Sequence, residues 1–205
     1  MSEKILVIDD ERSICDAIAH ILKGAGYAVT TSTSGSEGLK IFEGGRFDLV
    51  ITDMKMEGIN GLDVLRRVNE LDPEVPVMVI TAFGSIDSAV EAVKLGATDY
   101  IAKPFVNDDL KLRVNKTLEA IRLTRENQEL RAQLSDRYDF SNILGRSEVM
   151  KKSLRLLDRA IPTNSTILIT GETGTGKGLV AKTVHYNSLR KGKPFVAVNC
   201  GAIPD

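Results

Sequence analysis

Tryptophan is absent, and aromatic residues make up only 5% of the 205-residue chain. Cysteine is nearly absent: Cys15 and Cys200 are the only two and lie far apart, which excludes a disulfide scaffold. No apolar run approaches the roughly 20 residues needed to cross a bilayer as a helix, so no membrane anchor of that kind is expected. Neither sign of charge dominates, with a formal net charge of −1. Apolar residues at 42% and charged residues at 27% are ordinary for a globular protein and exclude disorder throughout. Residues 1–9 hold a short apolar run closed by acids, which predicts no secretory signal. Two free thiols then fit a reducing cytoplasm.

The near-zero net charge hides an asymmetry. Residues 1–120 carry 13 Lys and Arg against 20 Asp and Glu, whereas residues 121–205 carry 14 against 8. An acidic half suits cations and a basic half suits anions such as phosphates. Two modules with different ligands are expected.

Residues 4–9, 47–52 and 76–81 are near-continuous apolar runs, the pattern of strands covered on both faces, and weaker strands fit 27–31 and 98–102. Helical patterns lie between them at about 12–23, 35–43, 61–70 and 86–95, and a last helix starts near Val106. Gly24 and Gly26, then Gly44 and Gly45, stand where helices stop. Strand and helix therefore alternate into an α/β domain, a doubly wound five-stranded parallel sheet over residues 1–120.

The last helix does not stop at that boundary, because residues 108–137 contain neither Pro nor Gly. Ala120, Leu123, Asn127, Leu130 and Leu134 recur at alternating spacings of three and four. This is a heptad seam with Asn at an a position, a choice that favours two strands in one register. Residues 121–138 are thus expected to form a coiled-coil-like linker through which the chain pairs with a second copy. An ordinary amphipathic linker helix is the alternative.

The strand order predicts where chemistry can gather, since ligands of open parallel sheets sit outside the carboxyl ends of the strands. Asp9 and Asp10 close the first strand, Asp53 follows the third, Thr81 ends the fourth and Lys103 follows the fifth. Packed carboxylates repel and call for a hard divalent cation. Mg²⁺ suits them, taking Asp9, Asp10, Asp53 and the backbone carbonyl of Lys55 while leaving room for phosphate oxygens. A metal alone leaves Lys103 and Thr81 without a role. Both make sense if Asp53 is a nucleophile that becomes an aspartyl phosphate, with Lys103 and Thr81 on the phosphoryl oxygens. Singly, each Asp is also a common helix cap or turn residue.

Asp9-Asp10, Thr52-Asp53, Thr81-Ala82 and Lys103-Pro104-Phe105 resemble the receiver domain of bacterial two-component response regulators over about residues 3–120. The resemblance implies a flavodoxin-like fold and phosphorylation of Asp53 by a sensor histidine kinase. It also implies that Tyr100 is the switch aromatic, turning inward as Thr81 moves toward the phosphate; plain core filling is the alternative for Tyr100. Glu57 departs from the pattern, which usually has Pro at that position.

Beyond the linker, residues 147–160 read as a helix, 166–170 and 195–199 as buried strands, and about 177–188 as another helix. Between strand and helix, Gly171, Glu172, Thr173, Gly174, Thr175, Gly176 and Lys177 match a phosphate-binding loop. Its glycines let backbone N–H groups face phosphates, the helix N-terminus adds positive potential, and Lys177 reaches the β- and γ-phosphates. The hydroxyl residue that usually follows the lysine is replaced by Gly178.

Residues 143–147, 171–177, 195–200 and 202–204 resemble the start of the AAA+ domain of NtrC-like, sigma-54-dependent transcriptional activators. This implies a P-loop α/β segment over residues 139–205 that binds ATP, with Ile143, Leu144 and Gly145 against the adenine. The Walker B acids, arginine fingers, sensor residues, sigma-54 loop and DNA-binding helix-turn-helix have no counterpart in the sequence. ATP turnover is therefore not expected of this chain, and sigma-54 RNA polymerase and DNA are expected partners only through such absent regions. The expectation is a response regulator present in part. A stand-alone receiver dimer with a non-functional tail, or a P-loop ATPase acting on another target, are the alternatives.

Overall fold

The computed structural model describes residues 2–82, 92–138 and 147–202. They divide into two compact units, residues 1–122 and 123–205.

The first unit is built on five parallel strands: β1 (Lys4–Ile8), β2 (Ala28–Ser32), β3 (Leu49–Asp53), β4 (Val77–Ala82) and β5 (Asp99–Lys103). Their order across the sheet is β2-β1-β3-β4-β5. The helices α1 (Arg12–Gly24), α2 (Gly35–Gly44) and α3 (Gly61–Leu71) alternate with the strands, and the long α4 (Asn107–Arg137) follows β5. This is the doubly wound α/β fold that the alternating pattern predicts. The strands fall within one or two residues of the expected positions. Most of the helix expected over 86–95 lies outside the described residues, with 92–94 helical.

The apolar runs are continuous because alternate residues serve two cores. Ile5, Val7, Ile51, Met78, Ile80 and Ile101 join Ile18 and Leu22 of α1 and Leu110 and Val114 of α4 on one face. Leu6, Ile8, Val50, Val77 and Val79 join Phe42 of α2 and Val64, Leu65 and Val68 of α3 on the other. Each fully buried side chain of this size contributes about 1.5–3 kcal/mol, so the central strands β1, β3 and β4 anchor the unit. At the end of α1, Gly26 adopts φ +97° and its N–H donates to the Lys23 carbonyl, the left-handed stop that glycine permits. Asn60 caps α3 by accepting from the N–H groups of Leu62 and Asp63 at 2.9 and 3.0 Å.

In the second unit, α5 (Glu148–Ala160) and α6 (Lys177–Asn187) form where the periodicity predicts. Ser147 caps α5, its hydroxyl accepting from the Met150 N–H at 3.2 Å. The two expected strands do not form: residues 166–170 and 195–199 make no ladder. A strand needs a neighbour for its N–H and C=O groups, and neither segment has one among the described residues. Their apolar side chains stay out, with Leu168 86% and Val196 74% exposed. A hollow of about 560 Å³ lies between α5 and residues 166–171. The seam of α4 is likewise uncovered at Leu123 and Leu130, while Leu134 is half-buried. No helix of the described residues is long and apolar enough to cross a membrane.

Candidate functional site

The carboxyl ends of β1, β3 and β5 bring three charged groups together. Asp9 directly follows β1 and is fully buried; its N–H donates to the Ser32 carbonyl at the end of β2. Its Oδ1 accepts from the Glu11 N–H at 2.9 Å and its Oδ2 from Lys103 Nζ at 2.8 Å. Asp53, the last residue of β3, is 5% exposed. Its Oδ1 lies 2.9 Å from the same Nζ, and its Oδ2 accepts from the Lys55 N–H at 3.0 Å. Lys103 closes β5, so its ammonium sits between two buried carboxylates from two other strands.

Burial pushes the Asp53 carboxyl above the usual carboxylate range, and the hydrogen bond and charge of Lys103 offset only part of that. Burial pulls the Lys103 ammonium down, but its bonds to Asp9 and Asp53 outweigh burial and hold it above the ordinary lysine value. The result is a cation kept charged beside a carboxylate that is costly to leave charged, the setting of a reactive group rather than of a surface ion pair.

The other residues read from the sequence are more dispersed. Asp10 is exposed, in a depression that Lys55, Met56, Glu57 and Asn60 also line. The structure thus gathers two of the three acids, not all three, around the ammonium. Asp9 is fully buried whereas the adjacent Asp10 is exposed. Thr81 is half-buried in β4, paired with Ala102 of β5. Tyr100 is 43% exposed, so it does not fill the core.

Two residues of this site escape the sequence reading. Glu11 Oε1 lies 3.8 Å from Lys103 Nζ, and the unbroken Asp9-Asp10-Glu11 run was the signal for it. Gly61 opens α3 directly against the Asp53 carbonyl, where a Cβ would collide with backbone. The Asn60-Gly61 pair at a helix start marks that position.

Among the described residues no three Asp, Glu, His or Cys side chains are gathered closely enough to hold a metal by themselves. Mg²⁺ does not require that: one or two carboxylates, a carbonyl and waters suffice. Asp9 and Asp53, both buried and both all-oxygen donors beside the Lys55 backbone, fit that chemistry.

The second candidate site is the loop before α6. Gly174 and Gly176 have φ of +85° and +83°, conformations open to glycine, and turn the chain into the helix. Lys177 begins α6, and its Nζ donates to the carbonyls of Gly171 and Glu172 at 2.9 and 2.6 Å. The Thr175 hydroxyl donates to the Glu172 carbonyl at 2.7 Å. Thr173 lies in the turn, and Gly178 is exposed at the second position of the helix. Neither a hydroxyl nor a carboxylate follows Lys177, and α6 has no acid in its first turn, so these residues do not fit a cation. Ile143, Leu144 and Gly145 lie outside the described residues.

Residues 5–115 match the model of the response regulator receiver domain, and residues 143–205 that of the sigma-54 interaction domain. The transcriptional regulatory protein ZraR of Klebsiella oxytoca is 36% identical over 201 residues, which are 97% of this chain and 44% of that protein. The nitrogen assimilation regulatory protein NtrX of Azorhizobium caulinodans is 39% identical over 205 residues, 99% of this chain and 44% of that one. The crystal structure of NtrX from Brucella abortus in complex with ATP superposes with a TM-score of 0.64 at 37% identity, covering 100% of this chain and 45% of that chain. A response regulator receiver domain protein from Clostridium thermocellum gives 0.57 at 40% identity, over 60% of this chain and 98% of its own. The chain spans about 44% of the length of the curated relatives it matches.

Proposed function

The chain belongs to the response regulator receiver domain family, and on that premise we propose that Asp53 accepts a phosphoryl group from a sensor histidine kinase. The observation that carries the reading is the Asp9–Lys103–Asp53 arrangement, with one ammonium 2.8 and 2.9 Å from two buried carboxylates. An Asp53 carboxylate oxygen attacks phosphorus, and a P–O bond forms as the bond to the donor's imidazole nitrogen breaks. The imidazole leaves with the electron pair and takes up a proton. Lys103 holds one phosphoryl oxygen and Thr81 another, stabilising charge that develops during transfer. Asp9, Asp10, Asp53 and the Lys55 carbonyl are the residues that would hold Mg²⁺, which supplies further positive charge to the phosphoryl oxygens.

Phosphorylation places new negative charge where Lys103 now serves two carboxylates, so Lys103 and Thr81 are redrawn toward it. Tyr100, exposed on β5 three residues before Lys103, is the aromatic that follows by turning inward. Residues 1–120 are read as the receiver domain, 121–138 as a linker that pairs with a second copy, and 139–205 as the first part of an AAA+ sigma-54 interaction domain. In that last segment the loop 171–178 and residues 143–145 hold ATP. Support comes from the match of residues 143–205 and from the likeness to NtrX solved with ATP. The whole protein is read as a cytoplasmic regulator of sigma-54-dependent transcription.

Incubation with Mg²⁺ and acetyl phosphate tests the assignment. The wild-type chain gains one acid-stable, base-labile phosphoryl group by intact mass, and Asp53→Asn gains none. Equal labelling of Asp53→Asn refutes the role of Asp53.

A further inference from the structure

The phosphate loop is built to attract anions and has neither a hydroxyl nor a carboxylate directly after its lysine. Its positive charge comes from Lys177, whose ammonium is held over the loop by the carbonyls of Gly171 and Glu172, and from the N-terminus of α6, an eleven-residue helix. In the usual loop of this type, the hydroxyl after the lysine ligates the Mg²⁺ that accompanies the phosphates. Here that position is Gly178. Among the described residues, the first turn of α6 supplies no acid in its place. The one acid inside the loop, Glu172, has an exposed side chain, and the Thr175 hydroxyl donates to the Glu172 carbonyl. The contrast with the Asp9–Asp53 pair is chemical: that site offers two buried carboxylates, this one an ammonium and backbone N–H groups.

We propose that this loop binds the phosphates of a nucleoside triphosphate without Mg²⁺, and that Gly178 is the residue that sets this metal independence. The proposal rests on the nucleotide-binding reading above. Metal-free triphosphate carries more negative charge than its Mg²⁺ complex, and with no ligand to reward the cation the loop prefers the more charged form. Position 178 is free to accept a ligand-bearing side chain. A Cβ there meets nothing within 4 Å, and Gly178 is not among the glycines of positive φ.

The test is a titration of the full 205-residue chain with a fluorescent ATP analogue, read by anisotropy, in MgCl₂ and in EDTA. The wild type is expected to bind no more weakly in EDTA than in MgCl₂. Gly178→Thr is expected to keep the wild-type Kd in EDTA and to bind about tenfold tighter in MgCl₂, the scale of one charge-assisted bond. Wild-type binding that weakens about tenfold or more in EDTA, yet is lost in Lys177→Ala, overturns metal independence and leaves nucleotide binding standing. A Gly178→Thr chain with an unchanged circular dichroism spectrum and no response to Mg²⁺ overturns the assignment to position 178. Failure of wild type to bind in either buffer, or equal binding by Lys177→Ala, overturns the nucleotide reading and the proposal with it.

Discussion

Replacing Lys103 with Met removes the one cation that, among the described residues, pairs with both Asp9 and Asp53, while keeping most of the apolar stem of the side chain. At 2.8 and 2.9 Å, and with an effective dielectric of about 20, each contact is worth about 6 kcal/mol of gross attraction. Desolvation of the three charges cancels much of that in the wild type, because Lys103 is only 16% exposed and the carboxylates less. In Lys103→Met the attraction goes but the buried carboxylates stay, and their mutual repulsion is added. The expected loss at about pH 7 is about 3–5 kcal/mol, the cost of orphaning a buried charge. The sign of its pH dependence follows from Asp53. Burial already raises the Asp53 carboxyl, and removing Lys103 removes the offset. A carboxyl whose folded pKa lies above its unfolded value favours the fold below that unfolded value and loses this advantage as pH rises through the folded pKa. The deficit of Lys103→Met therefore shrinks toward about pH 4. In the wild type the raised Lys103 pKa keeps its own contribution through neutral pH, to be lost only above the ordinary lysine range. Urea titrations followed by hydrogen exchange of the β1 and β3 peptides read the first unit separately from the second. Adding Asp53→Asn to Lys103→Met restores most of the loss. A deficit below about 1 kcal/mol at neutral pH, the scale of an exposed pair, or one that grows in acid, refutes the reasoning.

Gly61→Ala sets a methyl group against the Asp53 carbonyl and is expected to cost about 1–3 kcal/mol in urea denaturation. The same substitution displaces the end of β3 that carries Asp53 and slows its labelling by acetyl phosphate; unaltered stability and labelling contradict the close approach. Leu130→Asp is expected to give a monomer in sedimentation equilibrium at micromolar concentration, because Leu130 is 60% exposed on α4 and a charge there opposes burial in a paired seam. A wild-type chain that is already monomeric under those conditions contradicts the pairing of the linker.

The first unit was legible because its signals are local and redundant. Leu6 and Val7 point to opposite faces and both are fully buried, so the run reads as apolar throughout, and only a sheet covered twice produces that pattern. The strand ends then locate Asp53 and Lys103 without knowledge of any contact. What the pattern did not settle is which acids converge. Asp9 and Asp10 are adjacent and chemically alike, and only one of them is buried beside Lys103. Gly61 was hidden for a related reason: its importance lies in a backbone contact with Asp53, which leaves no periodic trace.

The second unit separates two properties that the first unit keeps together. Residues 166–170 and 195–199 have the composition of buried strands, yet Leu168, Val196 and Val198 are exposed and unpaired. Apolar composition reports that a segment gains by leaving water, whereas a strand exists only when another strand supplies its hydrogen bonds. The same distinction holds on α4, where helix formation is satisfied within the chain but Leu123 and Leu130 are not covered. The phosphate loop is the exception that fits the rule. Its conformation is set by Gly174, Gly176 and the bonds of Lys177 and Thr175 within seven residues. A motif closed over so short a span takes shape without a completed sheet, and so it is present beside strands that are not.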